Sequence, residues 1–188
     1  MLHFERIGSV PVHHTNGAIK QLSEHPELWD QIPLRTAPGS PHEGTHDIWV
    51  RFRDLRECTT PQHFGEPHFP VFYPAWWALP AIQQPVYSLM AQLRATHLGG
   101  ILITRIPAGK QVKPHADAGW HPTFYNTKVY IPLQSNPKCV NTCADEQIVI
   151  GAGEAVLFDN LITHSVINAG DSDRVTLIVT MRTEHAPI

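Results

Sequence analysis

From Ile101 onward the chain breaks into short β-prone runs separated by turn signals at regular intervals, and that pattern restricts the fold more than any other feature of the sequence. The runs Ile101–Ile106, Lys128–Leu133, Gln147–Ile150, Glu154–Phe158, His164–Asn168 and Arg174–Met181 are rich in Val, Ile, Leu and Thr, with Gly, Asn, Pro and Asp clustered between them. Strands of this length at this spacing form a sandwich or a small barrel. Alternation assigns their faces, because successive side chains on a strand point to opposite sides. If Arg174 points into the barrel, Thr176 and Ile178 follow it, while Val175, Leu177 and Val179 pack outward against helices or a second sheet. Lys128 and Tyr130 likewise share one side of their strand, and Val129, Ile131 and Leu133 the other.

On that framework sit four residues in one order. His115-Ala116-Asp117 places an imidazole and a carboxylate two residues apart, so that both reach one ion from the same side of an extended backbone. His164 follows 47 residues after Asp117, and Arg174 comes ten residues after His164. His-x-Asp alone is a cheap pattern in a chain with 13 histidines. Taken singly, His115 reads equally as a turn histidine, Asp117 as a turn carboxylate, His164 as a core histidine, and Arg174 as a surface partner of Asp171 or Asp173. Together they match two imidazoles and a carboxylate on one face of a metal, the facial triad suited to Fe(II), with an always-charged Arg placed to clamp a carboxylate beside it. Tyr130, Lys128 and Thr176 share the inward side and are further candidates for that anion, with Lys128 equally readable as a solvated strand residue.

At these residues the sequence resembles the 2-oxoglutarate/Fe(II)-dependent dioxygenases, and within them the aspartyl/asparaginyl β-hydroxylase-like branch. The likeness runs from about Leu98 to Arg182. It is carried by Gly153-Glu154-Ala155-Val156-Leu157-Phe158-Asp159 leading to His164, by Asn168-Ala169-Gly170-Asp171-Ser172-Asp173-Arg174-Val175, and by Pro122-Thr123 ahead of Lys128-Val129-Tyr130. Some members of that branch lack a metal carboxylate, whereas Asp117 supplies one here. The resemblance implies a mainly β, double-stranded β-helix (jelly-roll, cupin-like) fold with a few buttressing N-terminal helices. It implies Fe(II) on His115, Asp117 and His164, and 2-oxoglutarate as cosubstrate with its far carboxylate on Arg174. The reaction it implies couples decarboxylation of 2-oxoglutarate by dioxygen to hydroxylation of an unactivated C–H bond, most simply of an amino acid or a peptidyl side chain. Two alternatives stay open: an oxygenase acting on a nucleobase or other small metabolite, and a non-catalytic cupin-like metal or ligand sensor.

Length and composition set the outer limits. A chain of 188 residues with 42% apolar content suits one domain with a substantial core, divided as helical or irregular support over 1–97 and a β-helix over 98–182. No apolar run approaches the ~20 residues of a spanning helix, and the N-terminus lacks the order of a signal peptide. A net charge of −3 gives no footprint for duplex nucleic acid, so the expected partner is a small-molecule or peptide substrate. Three cysteines, an odd count, suit a reducing cytoplasm. Cys139 and Cys143 lack a second pair and read as loop thiols. Nothing in the sequence marks an oligomer interface.

The first ninety or so residues carry no motif. Short helices are expected near Ala18–Trp29 and a strand at Asp47–Phe52. Val86, Leu89, Met90 and Leu93 predict a helix over Pro85–His97, with Pro85 in the first turn and Gly99-Gly100 as its stop. Trp120, His121, Trp76 and Trp77 are candidates for a substrate pocket, or else core aromatics.

Overall fold

Alternating side chains on the strand Arg174–Arg182 divide one large sheet into an oily face and a chemically equipped one. In the computed structural model, which describes residues 3–60, 63 and 65–184, Val175, Leu177, Val179 and Met181 join Ile101, Ile103, Val129, Ile131 and Leu157 in the main hydrophobic core. Helix α1 (Val12–Glu24), the short α2 (Pro74–Ala78) and α3 (Gln83–Gln92) cover that face, contributing Ala18, Leu22, Trp76, Val86 and Leu89. The opposite face, bearing Arg174, Thr176 and Ile178, looks toward a second, smaller sheet.

The large sheet has seven strands in the order β1-β9-β6-β11-β4-β2-β3, and the small one four in the order β5-β10-β7-β8. Their ranges are β1 Phe4–Ser9, β2 His46–Phe52, β3 Val71–Phe72, β4 His97–Ile106, β5 Gln111–His115, β6 Thr127–Gln134, β7 Cys139–Cys143, β8 Glu146–Val149, β9 Glu154–Phe158, β10 His164–Asn168 and β11 Arg174–Arg182. Every pairing is antiparallel. After β4 the chain passes back and forth between the sheets, save for the β7–β8 hairpin within the small one, which is the double-stranded β-helix, or jelly roll, that the family resemblance implies.

The strands read from β-propensity are present, and the faces fall as alternation requires. Three expectations need correction. First, the helix predicted over Pro85–His97 ends at Gln92, where Arg94 takes a positive φ of 51° and the chain enters β4 at His97. Gly99 and Gly100 are therefore strand residues, not a helix stop. Second, Cys139 and Cys143 are not loop thiols: they begin and end β7, fully buried, with small inward side chains that suit the narrow space between sheets. Third, residues 1–97 supply more than helical or irregular support: besides the expected strand at Asp47–Phe52, which is β2 and pairs with β4, β1 pairs with β9 and extends the large sheet on its other side. Such pairings depend on partners about 150 residues away in the chain for β1, which local pattern cannot reveal. No helix of the described residues is long and apolar enough to cross a membrane.

Candidate metal centre

β5 ends on His115, and β10 begins on His164; the two residues are register partners. Adjacent strands thus bring the imidazoles to a centroid separation of 4.3 Å. Asp117 lies two residues beyond β5, held by its own backbone N–H, which donates to the Asn160 carbonyl at 2.9 Å. One donor atom from each of His115, Asp117 and His164 falls within 4.8 Å of the others. Asp117 Oδ1 stands 3.6 Å from His115 Nε2 and 4.0 Å from His164 Nε2.

The hydrogen bonds around the three groups leave the metal-facing atoms free. His115 Nδ1 lies 2.9 Å from the Lys113 carbonyl and His164 Nδ1 2.9 Å from the Ile162 carbonyl. A carbonyl only accepts, so each Nδ1 carries the proton and each Nε2 presents its lone pair. His164 Nε2 is buried without a hydrogen-bond partner. Asp117 Oδ2 accepts from Lys128 Nζ at 2.6 Å and from Asn160 Nδ2 at 2.8 Å, while Oδ1 is the oxygen turned to the imidazoles. Burial would raise the Asp117 pKa, but the Lys128 ammonium, its hydrogen bond, His164 and Asn160 outweigh it and hold the carboxyl well below its ordinary range. Burial is the first cause that drives His164 down to about 4, with Lys128 next, and burial also lowers His115. The site therefore combines an ionised carboxylate with two neutral imidazoles, the donor set that a divalent cation of borderline softness requires.

Deeper between the sheets, Arg174 is 2% exposed, and its Nε and Nη2 are buried without hydrogen-bond partners. Neither Asp171 nor Asp173 forms an ion pair with it among the described residues; Asp173 Oδ1 instead accepts from the Ala108 backbone N–H. Its guanidinium lies 5.7 Å from the centroid of the buried Tyr130 ring, and burial lowers its pKa. Thr176 Oγ1, on the same face, is also buried and unpartnered. A buried cation with no counter-charge is costly, and these groups together suit a small anion. Lys128, which the sequence offered to that anion, turns its ammonium to Asp117 instead.

The aromatic candidates separate. Trp76 belongs to the core behind the large sheet, and Trp77 is 70% exposed. Trp120 and His121, on the short helix α4 (Trp120–Phe124), border the site: His121 stacks on His68 with centroids 5.3 Å apart, and its Nε2 lies 3.0 Å from Thr180 Oγ1. Burial, then His68 and Lys128, push His121 down to about 3.

Three buried or half-buried polar residues escaped the sequence reading. Asn160 grips both the backbone and side chain of Asp117, and its only signal was its place in the loop before His164. His42 sets its ring edge-on to His115 at 4.7 Å, with a buried, unpartnered Nδ1, and it comes from the motif-free N-terminal region. Asn141, inward on β7, has a buried and unpartnered Oδ1.

The model of the aspartyl/asparaginyl β-hydroxylase family matches residues 78–184. No curated protein matches the chain. Among solved structures, a Trichoplax adhaerens prolyl hydroxylase in complex with a hypoxia inducible factor peptide fragment is similar over 97% of this chain and 84% of that one, at 15% identity and a TM-score of 0.61. A Pseudomonas putida prolyl-4-hydroxylase gives 15% identity and a TM-score of 0.56 over 97% of this chain and 94% of that one. A viral collagen prolyl hydroxylase from Paramecium bursaria Chlorella virus-1, in a 2-oxoglutarate complex, gives 10% identity and 0.53 over 97% of each chain. At such identities the likeness is one of fold.

Proposed function

The chain belongs to the aspartyl/asparaginyl β-hydroxylase family, a branch of the 2-oxoglutarate- and Fe(II)-dependent dioxygenases, and from that premise we propose that His115, Asp117 and His164 hold the iron and Arg174 anchors 2-oxoglutarate. The observation that carries this reading is the buried Arg174 guanidinium without a carboxylate partner, on the inner face of the same barrel whose mouth gathers the three donors. When bound, Fe(II) and 2-oxoglutarate supply the oxidising chemistry: one dioxygen is consumed, 2-oxoglutarate yields succinate and carbon dioxide, and one oxygen atom becomes the hydroxyl of the product.

The protein's share is binding, orientation and exclusion of water. The Lys113 and Ile162 carbonyls fix the imidazole tautomers, so that both Nε2 atoms face the same point. Lys128 and Asn160 occupy Asp117 Oδ2 and thereby turn Oδ1 toward that point. Arg174, with Thr176 above it and the Tyr130 ring beside it, offers paired donors to a carboxylate in a site that apolar side chains keep dry.

The substrate we propose is an amino acid or a peptidyl side chain. The family supports it, and the peptide bound by the Trichoplax relative is an analogy in the same direction. His42, whose ring meets His115 edge-on and whose buried Nδ1 has no partner, is available for a polar substrate beside the metal centre. Turnover of 2-oxoglutarate screened against free amino acids, peptides and oligonucleotides tests this; stimulation by oligonucleotides alone would overturn it.

The metal and cosubstrate roles are tested by anaerobic titration of the metal-free protein with Fe(II) and then 2-oxoglutarate. A weak visible charge-transfer band is expected in the wild type and not in His115→Ala. Arg174→Ala should bind iron normally but need roughly 100-fold more 2-oxoglutarate, the scale expected for losing a charge-assisted bidentate contact. Iron binding without the band in the wild type would refute the cosubstrate role.

A further inference from the structure

The segment that precedes β2 bridges the two sheets beside the metal centre. At one end the Asp30 backbone N–H donates to the Asp47 carbonyl and Asp30 Oδ1 accepts from the Asp47 N–H, which ties the segment to the large sheet. At the other end the Pro41 carbonyl accepts from the Lys113 N–H on β5, the edge strand of the small sheet, and the His42 ring meets His115 edge-on. His42 is 7% exposed, and its Nδ1 has no hydrogen-bond partner.

Between these ties Arg35 reaches the inner face of the large sheet. Asp47 is the register partner of Thr104, and Thr104 that of the inward Thr176. Arg35 Nη1 donates to Asp47 Oδ1 at 2.9 Å, to Asp47 Oδ2 at 2.8 Å and to Thr104 Oγ1 at 3.1 Å. Burial opposes the charge of Arg35, but Asp47 and, further down, Tyr130 and Asp117 raise its pKa, so the guanidinium stands within electrostatic reach of the metal-ligand carboxylate.

An arginine that serves one carboxylate alone meets it best with two nitrogens, fork to fork. Here all three contacts fall on Nη1. The Nε–H and one Nη2–H, which point the same way along the other edge, make no hydrogen bond among the described residues, and unlike those of Arg174 these nitrogens are not sealed from outside. That edge matches a second carboxylate in shape and hydrogen-bond sense. Asp47 balances the charge meanwhile, so the edge can stand empty without leaving a buried cation unpaired.

We propose that Arg35 anchors a carboxylate of the substrate, so that the molecule hydroxylated is a free amino acid or a peptide with an acidic side chain, gripped at Arg35 and passing His42 on its way to the metal. This rests on the oxygenase reading above.

The experiment measures binding to the Mn(II)- and 2-oxoglutarate-loaded protein by calorimetry without dioxygen. The probes are the standard free amino acids with their α-carboxamides, and end-capped peptides containing Asp or Glu with their Asn or Gln counterparts. In the wild type at least one carboxylate should bind, and its amide more than ~10-fold more weakly; which pair shows the difference tells an α-carboxylate from a side-chain one. Arg35→Gln combined with Asp47→Asn, which leaves no lone buried charge, should bring the acid down to the affinity of the amide while 2-oxoglutarate and Mn(II) bind as before. If that variant does not fold, Arg35→Lys keeps the charge and loses the fork, with an expected weakening of about 10-fold. Absence of carboxylate binding in the wild type, equal binding of acid and amide, or a preference that survives in a folded Arg35 variant overturns the role of Arg35 and leaves the metal and cosubstrate reading standing. Failure of the wild type to bind 2-oxoglutarate removes both.

Discussion

Arg174 carries a conflict between stability and function in one side chain. Its guanidinium is almost wholly buried, two of its three nitrogens have no partner, and burial already lowers its pKa. Exchanging such a group for an apolar one of similar length removes a desolvation cost with no lost ion pair to offset it. Arg174→Met should therefore stabilise the ligand-free protein by roughly 1–4 kcal/mol while weakening 2-oxoglutarate binding by roughly 100-fold, as in Arg174→Ala. Urea denaturation without ligands checks the first outcome, and a fall in the unfolding midpoint would show that Arg174 instead supports the ligand-free fold. At this scale the sequence was most legible where chemistry and spacing coincide. His115, Asp117, His164 and Arg174 could be read because two ligands lie two residues apart and the other two groups begin β-prone runs. Lys128 was legible as an inward residue but not as a partner of Asp117, because which of two nearby anions an ammonium chooses depends on distances across strands. Asn160 and Asn141 were illegible for a related reason: a polar side chain in a turn-rich stretch looks solvated until the fold shows it buried.

The elements differ in how far local pattern could find them. β6, β9, β10 and β11 are rich in branched apolar residues and were visible. β5, Gln-Val-Lys-Pro-His, and β7, Cys-Val-Asn-Thr-Cys, were not, since each contributes short or polar side chains to a small sheet and is defined by the strands beside it. β4 shows the reverse error, in which glycines read as a stop are required by a close approach. A Cβ at Gly99 would lie 2.5 Å from Thr180 Oγ1, 2.7 Å from the Tyr125 ring and 2.8 Å from the Thr180 carbonyl. Thr180 is also the residue whose hydroxyl accepts from the Gly100 N–H at 2.6 Å and touches His121. Gly99→Ala must therefore push α4 and β11 apart, at a cost of about 1–3 kcal/mol. Thermal melting should register a lower Tm. The stacking of His121 on His68 should loosen with it, and a variant that melts like the wild type would mean that Gly99 is not in close contact with Tyr125 and Thr180.

Taken as one molecule, the protein spends burial on keeping histidines neutral. His164 is held at about 4 and His121 at about 3, in both cases chiefly by burial, and His115 and His42 are lowered in the same direction. In the unfolded chain these imidazoles take up protons near pH 6.5. Between that value and about pH 4 the unfolded state therefore binds more protons than the native one, and stability must rise with pH across the window. Acidification from pH 6.5 toward 4 should lower the unfolding midpoint of the metal-free protein progressively, before the Asp117 carboxyl begins to take up its proton. His121→Gln, which replaces an imidazole that sits beside the site but is no candidate ligand, should flatten that slope. A midpoint that stays level from pH 7 to 5 would mean that the imidazoles charge freely in the native state. The same burial serves binding, since an imidazole that is already neutral has no proton for an incoming cation to displace. The fold thus accepts acid sensitivity in exchange for donors that are ready at neutral pH. That exchange is possible only because the large sheet, including the N-terminal strand β2, and the helices behind it supply the core on the other face.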